Sequence, residues 1–144
     1  MSVPEGKRGE RKLEALMKAR DLASYTIRIC VNQKVFLPQY QNALTNKLID
    51  TATEIFIKCD SANNILIRSD FDKAEIRSLI NGRKLLQEQA CEYCNRLLGL
   101  MQIAQPIFHL TTKRIKYWGG MTVEVRNHIR KWKESDRKRF GAYL

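Results

Sequence analysis

Residues 111–144 carry ten Lys and Arg against three Asp and Glu, a balance of +7, while residues 1–110 carry 16 against 12, a balance of +4. Most of the excess lies on one stretch, where Lys113, Lys116, Arg126, Arg130, Lys131, Lys133, Arg137 and Lys138 spread over a broad side of a single predicted helix. Glu124 and Glu134 are the main interruptions. A face kept for solubility would mix the two signs more evenly. Side chains of this type at helical spacing suit contact with backbone phosphates, which fixes position without reading base edges. An anionic membrane is the competing polyanion, but a surface-lying helix needs bulky apolar residues beside its basic side, and here the apolar residues are committed to a core.

Other side chains capable of chemistry are fewer. Cys91-x-x-Cys94 has the spacing of half a zinc site or of a redox motif. A tetrahedral site needs four ligands, and Cys30, Cys59, His109 and His128 offer no second close pair. Redox motifs of this spacing open a helix after a strand, whereas this one lies mid-helix on an apolar stripe, so small buried cysteines are expected. His109 and His128 are the two histidines of the chain. A helical-bundle ribonuclease with an Arg-x4–6-His motif would need four to six residues between the arginine and the histidine, and Arg126 stands only two before His128. No carboxylate clusters with a histidine or serine at an acid–base spacing, so no catalytic residue is assigned. Tyr117, Trp118, Trp132, Phe140 and Tyr143 are interleaved with the basic residues, as stacking platforms for single strands are. Trp118 and Trp132 fall on the apolar seam and are expected in the core, which leaves Tyr117 and Tyr143 more open to stacking.

Four helices must position these groups. The first spans about Glu10 to Asn32, with Leu13, Leu16, Met17, Ala23, Ile27 and Cys30 spaced for one buried side. Pro38 marks the turn to a second helix, about Gln41 to Asn64, with Leu44, Leu48, Ala52, Ile55, Phe56 and Cys59 inward. Residues 63–72 read as a polar loop, although Ile65-Leu66-Ile67 would equally extend the helix. The third helix follows a heptad-like seam through Ile76, Leu79, Arg83, Leu86, Ala90, Tyr93, Leu97, Leu100, Ala104 and Ile107. A second stripe beside it holds Ile80, Cys91, Cys94, Leu98, Met101 and Phe108. Asn81-Gly82 is a candidate early break, and Pro106 is expected to kink or end the helix. Arg83 is the one charge in the seam, with three open explanations: it snorkels, pairs across the bundle or marks a break. In the fourth helix Ile115, Trp118, Thr122, Val125, Ile129 and Trp132 keep phase across Gly119-Gly120, which predicts one continuous helix. Two interior glycines cost about 1 kcal/mol each relative to alanine, a loss offset where another backbone comes close.

With no strand signal, these helices predict an all-α, up-down antiparallel four-helix bundle over residues 10–140. A flexible basic arm is expected over 1–9 and a short tail over 141–144. Excess apolar width on helices 2 and 3 suggests association with copies of itself. At 144 residues the chain can build a core without disulfide staples. Its N-terminus, MSVPEGKRGE, lacks the apolar stretch of a signal peptide, and the longest apolar run near Leu97–Met101 falls far short of the ~18 residues of a membrane span. A reducing cytoplasm is the expected location, and no cofactor or metal is implied.

The runs KARDLASYTIRIC, FLPQYQNALTNKLIDTATEIF and QEQACEYCNRLLGLMQIAQPIFHLTTKRIKYWGGMTVEVRNHIRKWKESD resemble the four-helix-bundle family that includes proteins encoded in rRNA intervening sequences. Within that family the similarity is to the accessory variability determinants of diversity-generating retroelements. It spans roughly residues 11–139 and is weakest over 63–82. The resemblance implies a barrel-like homopentamer with a basic surface that is not itself an enzyme. It also implies binding of RNA or DNA and a reverse transcriptase partner, in support of template-primed, adenine-mutagenic cDNA synthesis and mutagenic retrohoming. It supplies no short motif of binding residues, so the candidate site rests on the basic face. Two alternatives stand beside it: an intervening-sequence type of scaffold with no polymerase partner, and a bundle nuclease.

Overall fold

The structure, a computed structural model, describes the backbone from Glu5 and side chains from Glu10, both through Leu144. Four long helices make up the chain: α1 (Glu5–Cys30), α2 (Asn46–Asn63), α3 (Lys73–Phe108) and α4 (Thr112–Phe140). There is no strand among the described residues. A 3-10 turn at Pro38–Tyr40 and a π-helical turn at Gln41–Thr45 lead into α2, and a 3-10 turn at Gly141–Tyr143 closes the chain. Helix α1 is already formed at Glu5, earlier than its apolar spacing indicated, and the part of the expected arm over residues 1–4 lies outside the described residues.

Sequence-local signals set where α3 and α4 begin. Asp72 caps α3 by accepting from the Glu75 amide at 2.8 Å, and Thr111 caps α4 by accepting from the Arg114 amide at 3.1 Å. Each side chain satisfies an amide that the first turn leaves without a partner. Neither Asn81-Gly82 nor Pro106 breaks α3, which ends two residues past the proline, where His109 adopts a left-handed conformation (φ 52°). Ile65-Leu66-Ile67 does not extend α2 and lies in the connection to α3.

The helices pack α1 on α2, α2 on α3, α3 on α4 and α4 back on α1. The core line of α3 is Ile76, Ile80, Arg83, Gln87, Ala90, Cys94, Leu97, Met101, Ala104 and Phe108, alternating steps of four and three. Apart from Gln87, which belongs to neither, it takes alternate members from the two stripes seen in the sequence; Leu79, Leu86, Tyr93 and Leu100 flank it half-buried, and Ile107 is exposed. On α4 the expected seam holds: Trp118 and Trp132 are 0% and 1% exposed, and Trp118 Nε1 donates to Thr26 Oγ1 of α1 at 2.9 Å. The hydrogen bond satisfies the polar edge of a ring whose burial is a dominant apolar contribution.

Helix α1 departs from expectation. Its inner side is Ala15, Ala19, Leu22, Thr26 and Cys30, while Leu13, Met17 and Ile27 form an outward stripe that Val31, just past the helix and 65% exposed, continues. At about 100° per residue the three helical positions lie within one narrow arc. The large apolar residues were expected inward because size dominates a periodicity reading. The small Ala15 and Ala19 take inner positions instead, both fully buried. Exposed apolar residues therefore gather on α1 and on Leu85, Ile103 and Ile107 of α3, with Ile57 the one large case on α2.

A small second core closes one end of the bundle, where Ile76, Ile80 and Phe140 pack with Ile67, Phe71 and Tyr143. Arg77 Nε donates to the Tyr143 carbonyl at 3.0 Å, so the expected C-terminal tail is fastened onto this end.

Candidate nucleic-acid interface

Helix α4 runs unbroken across Gly119-Gly120, which places all eight predicted cations on one rod. Lys113, Lys116, Arg130, Lys131 and Lys138 are exposed and have no acidic group within ion-pairing distance among the described residues. From Lys113 to Lys138 the face extends about 37 Å at 1.5 Å per residue. Arg126, Lys133 and Arg137 are placed differently. Arg126 is half-buried against α3, donating from Nη1 to Asn95 Oδ1. Lys133 Nζ sits 3.2 Å from Glu88 Oε1 of α3. Arg137 Nε donates to Glu134 Oε2 at 2.9 Å, and this bonding holds the Glu134 carboxyl below its ordinary range.

The two acidic interruptions are thus engaged. Glu134 is taken by Arg137, and Glu124 is drawn toward α1, with Lys18 Nζ at 3.2 Å and His128 Nε2 at 3.7 Å. His128 Nδ1 faces Glu14 at 3.1 Å. Exposed pairs of this type are screened by water, so their main effect is on the local field. Arg114 and Arg139 were not among the expected site residues: Arg114 donates to the Tyr25 hydroxyl at 2.9 Å, and Arg139 lies over the Phe140 ring at 4.7 Å. Lys84, exposed on α3 beside α4, is a further cation that the run on α4 could not disclose.

Gly119 and Gly120 do not meet a neighbouring backbone within the chain. A Cβ on Gly119 would stand 3.8 Å from Leu98 Cδ2, and one on Gly120 would meet nothing within 4 Å. The aromatic residues sort as follows. Tyr117 is exposed, packing edge-on to Tyr25 with ring centroids 5.1 Å apart, whereas Tyr143 and Phe140 belong to the second core.

Arg83 does pair across the bundle. Its Nη2 donates to Asp136 Oδ1 at 3.0 Å, its Nε stands 2.9 Å from Oδ2, and Gln87 Nε2 donates to the same oxygen at 2.9 Å. The guanidinium also lies over the Trp132 ring at 5.5 Å. Burial lowers the Arg83 pKa and raises that of Asp136, outweighing their mutual attraction in both. Asp136 lies 53 residues from Arg83, so no local spacing could have announced the pair.

The cysteines behave as buried apolar groups. Burial pushes Cys30 and Cys59 up to about 12 and raises Cys94, and it raises Cys91 in spite of the nearby Arg130, Lys133 and Arg126. No group of three or more His, Cys, Asp or Glu placed to hold a metal occurs among the described residues. No described helix is long and apolar enough to cross a membrane.

Set against protein-family models, curated proteins and solved structures, the chain matches none.

Proposed function

We propose that this chain is a non-catalytic, nucleic-acid-binding helical bundle that holds RNA or DNA by its phosphates along α4. The observation that carries this reading is the row of five exposed cations, Lys113, Lys116, Arg130, Lys131 and Lys138, on one continuous helix whose interrupting acids, Glu124 and Glu134, are already engaged. A face about 37 Å long matches about eleven base pairs at 3.4 Å per step. Binding is salt-dependent and nearly indifferent to sequence, because these side chains reach phosphates. In this reading the helices run alternately up and down, which the three-residue link between α3 and α4 favours.

Together with the resemblance to accessory variability determinants, the reading becomes a subunit that docks a reverse transcriptase and steadies its template RNA or cDNA in mutagenic retrohoming. Self-association into a pentameric barrel belongs to the same proposal, supported here by the outward apolar stripe of α1. Repeating the basic face around an oligomer multiplies a modest single-face affinity. Fluorescence anisotropy with labelled RNA and DNA at rising salt tests the binding, and light scattering the assembly. Co-purification with a reverse transcriptase tests the partner. Cleavage of RNA by the pure protein, or affinity indifferent to salt, would overturn the reading.

A further inference from the structure

A cavity of about 160 Å³ opens between α3 and α4 at the end closed by the second core, and its rim shares Lys133 and Arg137 with the basic face. We propose that this cavity receives one unstacked nucleobase from a single strand held along α4. The inference rests on the phosphate-binding reading above and deepens it: the face would hold the backbone, and the cavity would select the strand form.

Three features fit this occupant. The walls are apolar and partly aromatic, built by Ile67, Ile80 and Phe140. Apolar and aromatic walls of this kind tolerate any base, since every base has a π-face. The cavity is smaller than the roughly 300–1,000 Å³ of sites for drug-sized ligands, which suits one planar ring with its sugar and phosphate left outside.

The floor is polar and closed. Gln87 is fully buried, its Nε2 donates to Asp136, and its Oε1 has neither a partner nor open surface, so a base rests against the apolar walls above it. Arg83 and Asp136 neutralise each other beneath it, so the floor carries little net charge.

Charge at the mouth suits a strand entering from outside. The Lys133–Glu88 and Arg137–Glu134 pairs are neutral overall. Lys84 on α3 and Arg130, one turn before Lys133 on α4, have no acidic partner among the described residues and stand ready for the phosphates on either side. A base in a duplex must first unpair and unstack to enter, whereas a single strand offers one at little cost.

The test uses the full chain and a short single strand carrying one 2-aminopurine, with the matched duplex as comparison. On binding, the single-strand 2-aminopurine is expected to become shielded from acrylamide quenching, and the duplex one to remain as it was. Filling the cavity with Ile67→Trp is expected to abolish the shielding and weaken single-strand binding about tenfold, with duplex affinity within about twofold of the parent. Leu144→Trp, at the exposed rim of the same cavity, gives the same block should Ile67→Trp fail to fold. Binding of both strand forms with no shielded base, or equal weakening of both by the filled cavity, would overturn the pocket and leave the basic face standing. Failure of the parent protein to bind either form would remove the basic face and the pocket with it.

Discussion

Replacing Lys116, Arg130 and Lys131 together by Glu is expected to flatten the salt dependence of binding by more than half. Each phosphate neutralised on a duplex contributes about −0.9 to the slope of log K against log salt. The five uncompensated cations of α4 therefore give a slope of about −4.5 for one protomer, and affinity falls about 500-fold between about 50 and 200 mM salt. With three of them reversed, two remain, the slope becomes about −1.8, and the same salt step costs about twelvefold. The structure adds an internal control. Lys133 is already paired with Glu88, so removing the pair whole, as Glu88→Gln with Lys133→Gln, should leave the slope within about half a unit. Anisotropy of a labelled duplex of about twelve base pairs, titrated at five or so salt concentrations, reads both slopes. A slope that survives the triple reversal, or one that falls as far on removing the neutral pair, would refute the assignment of phosphate contacts to the outward cations.

Arg83→Met leaves the buried Asp136 carboxylate without its cation and should cost about 3–5 kcal/mol at neutral pH in urea melts. Burial already raises the Asp136 pKa, and losing Arg83 raises it further. The folded state then binds more protons than the unfolded one above the ordinary carboxylate range, so the deficit shrinks as pH falls toward about 4. A deficit that is constant with pH would mean the damage is to packing. Gly120→Ala should stabilise the isolated chain by about 1 kcal/mol, about 3 °C in melting temperature, because a Cβ there meets nothing. A gain in melting temperature accompanied by loss of assembly or of nucleic-acid binding would show that something rests on this spot. Native protein should react slowly with a thiol reagent at pH 7, Cys91 first, and expose all four thiols in denaturant, since burial disfavours every thiolate. Met17→Lys with Ile27→Lys, both on the outward stripe of α1, should shift light scattering toward the monomer while leaving the melting temperature within a few degrees. An unchanged particle mass would place self-association elsewhere.

Periodicity and charge by themselves determined much of this protein. The unbroken phase of Trp118, Thr122, Val125, Ile129 and Trp132 across two glycines specified that α4 is one helix, with its tryptophans inward. Counting charge along the chain then placed the cations on the opposite side, because a helix has one angular coordinate and burial uses up one range of it. The same logic failed on α1, where alanines line the contact and the larger Leu13, Met17 and Ile27 face out; periodicity registers how apolar a position is, while interhelical distance decides how large it can be. On α3 two stripes competed, and only the neighbours α2 and α4 selected the line that alternates between them. Tertiary structure also decided which cations remain available. Glu88, Asn95 and Glu134 take Lys133, Arg126 and Arg137, and for the first two the partner lies on another helix. The Arg83–Asp136–Gln87 cluster and the cavity above it join residues about 50 positions apart, and no local spacing carries that distance. Helical phase is a property of successive residues and can be read from them, whereas pairing and empty space arise from the approach of one helix to another.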